Sequence, residues 1–205
     1  MELDFTAFLF FIAFYLIGSI PFALIVYKFM STTDPRKSGS MNPGATNMYR
    51  VAGPLPGVLT FLGDFLKGFI PIYFLIEQNL TVAYIYSLFL LLGHMFSVFN
   101  SFKGGKGVAT SFGFILALDF QIGLIILMTW AFIFMLKRIS CLSAIVSFIF
   151  LPLIIFFISN DHLFFLISIF HSLVILLNHQ KNIREMREIM KGLVKLYSFS
   201  LRRKI

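Results

Sequence analysis

Charged residues and cysteine are scarce in this chain of 205 residues. Only 13% of the residues are Asp, Glu, Lys or Arg, while 59% are hydrophobic. Soluble domains of ordinary composition carry about 25% charged residues. The one cysteine, Cys141, excludes an intramolecular disulfide. The composition therefore predicts an integral membrane protein that folds without disulfides.

Motifs of several enzyme classes are missing. A nucleotide-binding P-loop needs Ser or Thr directly after its lysine, but Lys106 is followed by Gly107 and Val108. The chain contains no G-x-S-x-G nucleophile elbow, and no histidine is followed five residues later by aspartate. The histidines are far apart and only one cysteine is present, so we expect no metal site and no cofactor.

Basic residues outnumber acidic ones, 17 against 9, and the net charge is +8. Such a balance can indicate nucleic-acid binding, but no soluble basic domain remains outside the apolar runs. Lys and Arg concentrate in the cytoplasmic loops of membrane proteins, next to anionic lipid. We therefore expect the lipid bilayer as a partner, and no nucleic acid.

Twenty-eight phenylalanines are spread over several apolar runs. Continuous apolar runs favour membrane-spanning helices, since barrel strands alternate apolar and polar residues. The sequence thus predicts a single all-α domain, residues 1–205, with a basic cytoplasmic tail at 181–205. A full crossing takes about 20 residues, and two of the predicted spans are short. The predicted spans are Phe5–Met30, Leu55–Ile76, Thr81–Phe99, Val108–Leu118, Phe120–Leu136, Leu142–Ser159 and Leu163–Leu177.

Charge distribution selects among the possible topologies. The residues on either side of Asp119 can form one long helix or a hairpin of two helices, which gives six or seven passes. Six passes would export the basic tail, so the positive-inside rule favours seven, with the N-terminus outside and the C-terminus in the cytoplasm. The basic side then holds Lys28, Arg36, Lys37, Arg50, Lys103, Lys106, Lys137, Arg138 and the tail from Lys181 to Lys204. The other side holds Glu2, Asp4, Glu77, Asp119 and Asp161.

The first of three polar segments on the basic side is the loop at residues 34–50. It contains Ser40, Asn42, Thr46, Asn47 and Arg50. The Ser, Thr and Asn side chains can form hydrogen bonds with phosphate and hydroxyl oxygens, and an arginine can bind phosphate through two parallel N–H groups. A cluster of Asn, Gly and Pro can also be no more than a turn.

The second segment is a glycine-rich loop that contains Lys103, Gly104, Gly105 and Lys106. Glycines lack a Cβ, so successive backbone N–H groups can converge on an anion, and lysine ammonium groups add full positive charge. If residues 108–118 form a helix, its N-terminal dipole points at the same anion. Lysines at the end of a span can also serve only to orient the protein.

The third segment follows the last predicted span. His179 and Asn182 are three residues apart and therefore share a face if this segment is helical. A single interfacial histidine can be a packing residue only. Nevertheless, one face of the membrane holds the glycine loops, the arginine, the lysines and the histidine. Hydropathy does not require the glycine loops or the histidine to lie on that face. That coincidence favours a binding site for phosphorylated molecules.

A few polar residues fall inside the predicted spans. Asp64 and Lys67 are three residues apart on one helix, and we interpret them as a mutual pair that limits the cost of burial, with a direct substrate role as the alternative. His94 and His171 are interpreted as residues that form hydrogen bonds between helices. Both histidines are left outside the predicted site.

Taken in order, these segments resemble the bacterial glycerol-3-phosphate acyltransferase family that uses acyl phosphate, the PlsY type. Each motif alone is weak, but six occur in order along nearly the whole chain with matching hydropathy. The motifs are Gly18-Ser19-Ile20-Pro21, the stretch from Gly39 to Asn47, Asp64-x-x-Lys67-Gly68, Gly93-His94-Met95, the stretch from Phe102 to Thr110, and His179-x-x-Asn182-Ile183.

The resemblance implies a fold of seven spans and the transfer of a fatty acyl group from acyl phosphate to the 1-hydroxyl of glycerol 3-phosphate. The products are lysophosphatidic acid and phosphate. It implies catalytic roles for Lys106, His179 and Ser40. It implies substrate-binding roles for Asn42, Thr46, Asn47, Arg50, Lys103, Gly104, Gly105, Ser143 and Asn182.

Three departures from the family pattern stand out. Met41 occupies a position where the family usually has glycine, and Ser97 replaces a usual proline. Cys141 and Ala144 stand where the family carries serines, and Ser143 is the residue that we expect to take over their hydrogen bond.

The resemblance also implies a multi-pass protein of the bacterial inner membrane with its active site facing the cytoplasm, and a soluble enzyme that supplies the acyl phosphate. A transporter for a phosphorylated anion is the alternative, because it too needs glycine loops and basic residues. Transporters usually bind their substrate near the middle of the bilayer and often contain repeated halves. Here the candidates lie on one surface and no repeat is evident.

Overall fold

A computed structural model describes residues 5–30, 32–77, 80–159, 161–188 and 191. Over these residues the protein is helical and contains no strand, as the sequence predicted. The helices are α1 (Phe5–Ser19), α2 (Phe22–Phe29), α3 (Ala45–Ala52), α4 (Pro54–Ile76), α5 (Leu80–Met95), α6 (Val108–Leu118), α7 (Phe120–Lys137), α8 (Ser140–Ile158), α9 (His162–Asn178) and α10 (Gln180–Glu188). A short 3₁₀ turn at Val98–Asn100 follows α5.

The first apolar run forms two helices rather than one. Helices α1 and α2 meet at an angle of 43°, because Pro21 has no N–H group to continue the helical hydrogen bonds. The carbonyl groups at the break find other donors: Ser97 Oγ donates to Ser19 O, and Lys67 Nζ donates to Ile20 O at 2.7 Å. The prediction of one uninterrupted span over Phe5–Met30 is therefore wrong at this point.

The apolar stretch around Asp119 is also two helices. Asp119 has an extended backbone, and its side chain accepts a hydrogen bond from Ile122 N at 2.9 Å, which caps α7. A Cβ at Gly123 would collide with the backbone of Leu116, seven residues earlier. A straight helix would hold these residues about 10 Å apart, so α6 and α7 fold back on each other as the hairpin alternative predicted.

Helices α4 and α6 approach each other closely. A Cβ on Gly68 would collide with the carbonyl oxygen of Thr110, and a Cβ on Gly113 would collide with that of Phe65. Small residues at such contacts allow helix backbones to pack tightly in a membrane, where water provides no hydrophobic driving force. This contact places the first turn of α6 beside the buried polar residues of α4.

Several buried polar side chains in the bundle are paired. Lys67 Nζ lies 2.6 Å from Asp64 Oδ1, and both side chains are 3% exposed. His171 Nε2 lies 2.8 Å from Ser111 Oγ, and the ring of His94 also contacts a neighbouring helix, as described below. The predicted Asp64–Lys67 pair and the predicted interhelical contacts of both histidines are confirmed. The cost of burying these groups is reduced accordingly.

Within the described residues, four helices are long and apolar enough to cross a membrane: α4, α5 with its 3₁₀ turn, α7 and α8. The count rises to six if each of the bent pairs, α1 with α2 and α9 with α10, is one span. Helix α6 has 11 residues and falls below that length. The protein is thus an integral membrane helical bundle, and the described part of the predicted tail, α10, is helical.

Candidate active site

The second and third polar segments meet at the end of the bundle. Lys106 Nζ donates a hydrogen bond to Asn182 Oδ1, which joins the glycine loop to α10. Asn178 Nδ2, in the last turn of α9, donates to the carbonyl oxygen of Gly105 at 3.2 Å. Two residues of the glycine loop are therefore held by side chains more than 70 positions away in the sequence.

The first loop is fastened to the same region at two points. Arg36 Nη1 donates to Asn100 Oδ1 at 3.1 Å, and the Nδ2 group of Asn100 donates to the carbonyl of Lys103. Thr46 Oγ1 and Ser140 Oγ lie 3.0 Å apart, which links α3 to the start of α8. The three predicted segments therefore lie together, and the start of α8 joins them.

Asp34 and Arg36 stabilise the beginning of the first loop. Arg36 donates to both carboxylate oxygens, from Nε at 3.0 Å and from Nη2 at 2.8 Å. This bidentate pairing lowers the pKa of Asp34 to about 2 and raises the pKa of Arg36. The charge of this arginine is thus largely balanced within the loop, unlike that of Arg50, which lies exposed on α3.

Asn47 lies buried at the centre of the first loop. Its Oδ1 atom accepts a hydrogen bond from Ser40 N at 2.9 Å, and its Nδ2 group donates to Pro35 O at 2.9 Å and to Ser38 O at 3.0 Å. These contacts occupy the carboxamide. The hydrogen bonds of Asn47 shape the loop that presents Ser40, and its direct binding of substrate stays a prediction.

Met41 follows Ser40 with a φ of 57°. This is the left-handed region, which costs about 1 to 2 kcal/mol for residues with a Cβ and almost nothing for glycine. This backbone conformation explains why the family usually has glycine at this position. Asn42, half-buried, lies next in the loop and its carbonyl accepts from Gly44 N at 2.9 Å.

The backbone of the glycine loop differs from the predicted phosphate cradle. Gly104 N donates to Met95 O at 2.9 Å, and Gly105 N donates to His94 O at 3.2 Å. These two N–H groups therefore bind the end of α5 in this structure, and the substrate-binding role of the two glycines stays a prediction. A Cβ at Gly104 would collide with the carbonyl oxygen of His94, so close packing explains this glycine.

Helix α6 begins directly after the loop, as the sequence predicted, with Gly107 at a φ of 85° as its N-cap. Helix geometry leaves the first N–H groups of any helix without intrahelical partners. Together with the helix dipole they favour an anion at this end. The amide donors nearest to Lys106 are thus those of the first turn of α6, after Gly107.

Two positive charges act on Lys106. Partial burial lowers the pKa of its ammonium group, and the charges of Arg50 and Lys181 act in the same direction, while Cys141 and Glu185 act against them. Positive charges that interact in this way are stabilised when an anion binds between them. The electrostatics of the cluster therefore suit a phosphate.

His179 is buried at the bend between α9 and α10, with 1% of its surface exposed. Its Nδ1 atom lies 2.8 Å from Ile175 O, and since a carbonyl can only accept, Nδ1 carries the proton. Burial, with a smaller effect from Lys106, lowers the pKa of His179 to about 4. The ring is thus neutral near pH 7, with its lone pair on Nε2.

The start of α8 contributes differently from the prediction. Ser143 is fully buried and its Oγ atom donates to Ile139 O at 3.1 Å, within its own helix. Ser140, three residues earlier, faces Thr46 instead. The sequence pattern missed Ser140, because nothing in it shows which turn of α8 faces the first loop.

A narrow cavity lies beside the glycine loop, and Lys106 is not among the residues that line it. Lys103 lines it with its exposed side chain, together with the buried groups of α4 and α5. His94, which was left outside the predicted site, is one of these groups. The cavity is lined by Ser19, Ile20, Pro21, Phe22, Pro43, Asp64, Lys67, His94, Ser97, Asn100, Lys103, Gly104 and Gly105.

A model of the glycerol-3-phosphate acyltransferase family matches residues 8–189. The chain belongs to this family. The glycerol-3-phosphate acyltransferase of Ruthia magnifica subsp. Calyptogena magnifica is 42% identical over 175 residues, which are 84% of this chain and 88% of the relative. That of Chromobacterium violaceum is 43% identical over 188 residues, with coverages of 87% and 90%.

Solved structures agree with this assignment. The crystal structure of PlsY (YgiH), an integral membrane glycerol 3-phosphate acyltransferase, in its glycerol 3-phosphate form has a TM-score of 0.84 and 36% identity, over 89% of this chain and 92% of the other. The lysophosphatidic acid form has a TM-score of 0.82 and 35% identity, with the same coverages. The chain is thus an integral membrane acyltransferase of lipid biosynthesis, and the transporter alternative is set aside.

Proposed function

We propose that this protein transfers a fatty acyl group from acyl phosphate to the 1-hydroxyl of glycerol 3-phosphate, giving lysophosphatidic acid and inorganic phosphate. The observation that carries the proposal is the cluster of Lys106, Arg50 and Lys181 beside the neutral ring of His179. Its positive charges suit phosphorylated substrates, and related proteins are crystallised with glycerol 3-phosphate and lysophosphatidic acid.

Both substrates carry a phosphate, and the site offers two regions for them. In this proposal Lys106 and the first turn of α6 bind the phosphate of the acyl donor. Arg50 and Asn182 orient glycerol 3-phosphate, with Ser40, Asn42 and Thr46 along the first loop as further hydrogen-bonding groups. Lys103 adds positive charge at the entrance, while Asn47, Gly104, Gly105 and Ser143 hold the backbone in place.

The reaction requires little covalent chemistry from the protein. The 1-hydroxyl oxygen attacks the carbonyl carbon of the acyl phosphate, the bond from that carbon to the phosphate oxygen breaks, and the hydroxyl proton leaves. Acyl phosphate is a mixed anhydride with a good leaving group, so alignment and stabilisation of negative charge supply most of the catalysis. The Nε2 atom of His179 either accepts the proton or holds the hydroxyl, and the leaving phosphate is the other acceptor.

Seven passes follow if α6 counts as a half-length crossing beside the four long helices and the two bent pairs. The N-terminus then lies outside, and the site faces the cytoplasm of the bacterial inner membrane, where a soluble enzyme supplies acyl phosphate. Burial in lipid contributes about 0.8 kcal/mol per CH₂, so a chain of about 15 methylenes favours the bilayer by about 12 kcal/mol. The acyl chain therefore stays in the inner leaflet during the reaction.

An assay with rival donors tests the proposed reaction. Purified protein in detergent is given glycerol 3-phosphate with acyl phosphate, acyl-CoA or acyl carrier protein, and lysophosphatidic acid and phosphate are measured. Turnover with acyl phosphate alone is expected. Turnover with acyl-CoA and none with acyl phosphate would overturn the choice of donor.

Labelling with a membrane-impermeant maleimide tests the topology. The background is Cys141→Ala, into which Ser40→Cys or Glu77→Cys is introduced at exposed positions on opposite predicted sides. In intact spheroplasts Glu77→Cys is expected to react and Ser40→Cys to react only after the membrane is opened. The reverse pattern would contradict the orientation.

A further inference from the structure

His94 lies directly beneath the glycine loop. Its carbonyl oxygen accepts the hydrogen bond of Gly105 N, and a Cβ at Gly105 would collide with His94 Nε2. The imidazole therefore forms the surface on which the loop rests immediately before Lys106. The side chain of His94 is only 6% exposed, and it borders the narrow cavity that Lys103 also lines.

The same ring reaches the segment that follows Lys106. His94 Nδ1 lies 3.1 Å from Oγ1 of Thr110, in the first turn of α6. His94 thus contacts both residues: its backbone carbonyl binds Gly105 N and its ring packs against Gly105, while Nδ1 of the ring contacts Thr110. The short segment between Gly105 and Thr110 carries Lys106 and the N-terminus of α6. The length of that segment leaves Lys106 little freedom to move relative to His94.

Groups on α4 hold the ring in turn. Asp64 Oδ1 lies 3.5 Å from His94 Nδ1 and 2.6 Å from Lys67 Nζ. Lys67 donates to Ile20 O at the break between α1 and α2. The imidazole is therefore oriented by partners on two helices, which is the arrangement that gives a positioning residue a single rotamer.

We propose that His94 is a positioning residue for acyl transfer, which places the ammonium group of Lys106 and the first turn of α6 by bracing the loop at Gly105 and Thr110. The inference rests on the proposed role of Lys106 as a phosphate ligand. His94 touches neither substrate, so its effect on the reaction passes through Lys106.

His171 provides a matched control. It is also a buried histidine, 3% exposed, and its Nε2 atom contacts Ser111 on the same helix α6 at 2.8 Å. It lies in the membrane-spanning part of α9, among the rings of Phe114 and Phe148, and the glycine loop is not among its contacts. The His171→Ala variant therefore measures how much stability is lost when one buried histidine no longer contacts α6, while Lys106 stays undisturbed.

The experiment measures kcat, the KM of each substrate and the thermal midpoint for His94→Ala, His94→Asn and His171→Ala in detergent. Since a displacement of about 1 Å in a catalytic group can cost about 100-fold, His94→Ala is expected to lose at least about tenfold more kcat/KM than His171→Ala. Their thermal midpoints are expected to fall to a similar extent. His94→Asn, which retains polar atoms near the position of Nδ1, is expected to recover most of the activity.

A second comparison isolates the route through Lys106. In a Lys106→Met background, His94→Ala is expected to cause no further loss of kcat/KM. Equal losses in His94→Ala and His171→Ala, failure of His94→Asn to recover activity, or an additional loss in the Lys106→Met background would overturn the inference. If His94→Ala does not fold, Thr110→Val and Thr110→Ser replace it, with loss expected for the first and activity for the second.

The proposed role of Lys106 and the positioning role of His94 can be disproved independently of each other. Full activity in Lys106→Met would overturn the role of Lys106 itself. Loss of activity in Lys106→Met together with full activity in His94→Ala would overturn only the positioning role of His94.

Discussion

Lys106 and Asn182 are 76 residues apart in the chain, yet the ammonium of one donates a hydrogen bond to the carboxamide of the other. The contact joins the glycine loop to helix α10, next to the neutral imidazole of His179. Neither group is near the other in any local sequence pattern. The catalytic proposal depends on this contact, because it places the proposed ligand of the acyl donor, Lys106, beside a proposed ligand of glycerol 3-phosphate, Asn182.

Replacement of Lys106 tests the site most directly. Lys106→Met keeps the aliphatic stem and removes the charge, and kcat/KM is expected to fall about 100-fold or more, as for the loss of other groups that stabilise developing charge. Lys103→Met is the matched control, since this lysine belongs to the same loop and its side chain is exposed. A smaller loss in Lys106→Met than in Lys103→Met, measured with purified protein, would contradict the assignment.

Stability should depend on pH through His179. Its pKa is about 4 in the folded protein against an ordinary value of 6.5. Between these values the unfolded chain binds a proton that the folded protein does not, so stability falls as the pH is lowered from about 6.5 to about 4. His179→Asn retains a donor for Ile175 O without a titrating ring, and its thermal midpoint should decline less over this range.

The measurement compares thermal midpoints of the two proteins in detergent at several pH values from 7.5 to about 4.5. The difference between the two thermal midpoints at pH 7.5 measures the effect of the altered packing. Only the change of this difference with pH measures the titration of the His179 imidazole. Parallel curves would show that His179 does not titrate in the expected window.

Asn47 is expected to matter for the fold of the first loop. Asn47→Asp removes both donors to Pro35 O and Ser38 O and introduces a buried charge, so the free energy of unfolding should fall by about 2 kcal/mol or more. Proteolysis after Lys37 should become faster at the same time. Asn42→Asp makes the same chemical change at a half-buried position, and equal sensitivity of the two variants would argue against the special role of Asn47.

Variants of the buried pair on α4 distinguish a structural role of the pair from a role in binding substrate. Lys67→Met leaves the carboxylate of Asp64 buried without its cation, which typically costs about 3 to 5 kcal/mol. The double variant Asp64→Asn with Lys67→Met removes both charges and keeps an oxygen beside His94, so its thermal midpoint should recover. Recovered stability together with lost acyl transfer would instead support the alternative that the pair contacts substrate.

Much of the architecture was predictable because hydropathy and charge act locally. The apolar run at 108–118 matches α6 at both ends, and Asp119 marks the break before α7 as predicted. The break at Pro21 was missed, since an apolar run continues on both sides of it. A proline interrupts the helical hydrogen bonds, but the mean hydropathy of the surrounding residues does not show this break.

For the candidate site, less could be predicted from the sequence. The second loop was predicted to hold a phosphate through the N–H groups of its glycines, whereas in the structure the N–H groups of Gly104 and Gly105 donate to carbonyls at the end of α5. Asn47 was predicted to bind substrate, and in the structure its hydrogen-bond partners lie 7 to 12 residues earlier in the chain. Residue types show which hydrogen bonds are possible, and only the fold shows which are made.

The sequence by itself determined the membrane class, the helical architecture, the family and the candidate residues, because these depend on composition, periodicity and short motifs. Tertiary structure alone decided that Lys106 meets Asn182, that His179 is buried and neutral, and that His94 supports the glycine loop. The first contact joins groups 76 residues apart in the chain, and the other two facts depend on where the helices place each side chain. Their distance and burial are set by helix packing, which no local stretch of sequence encodes.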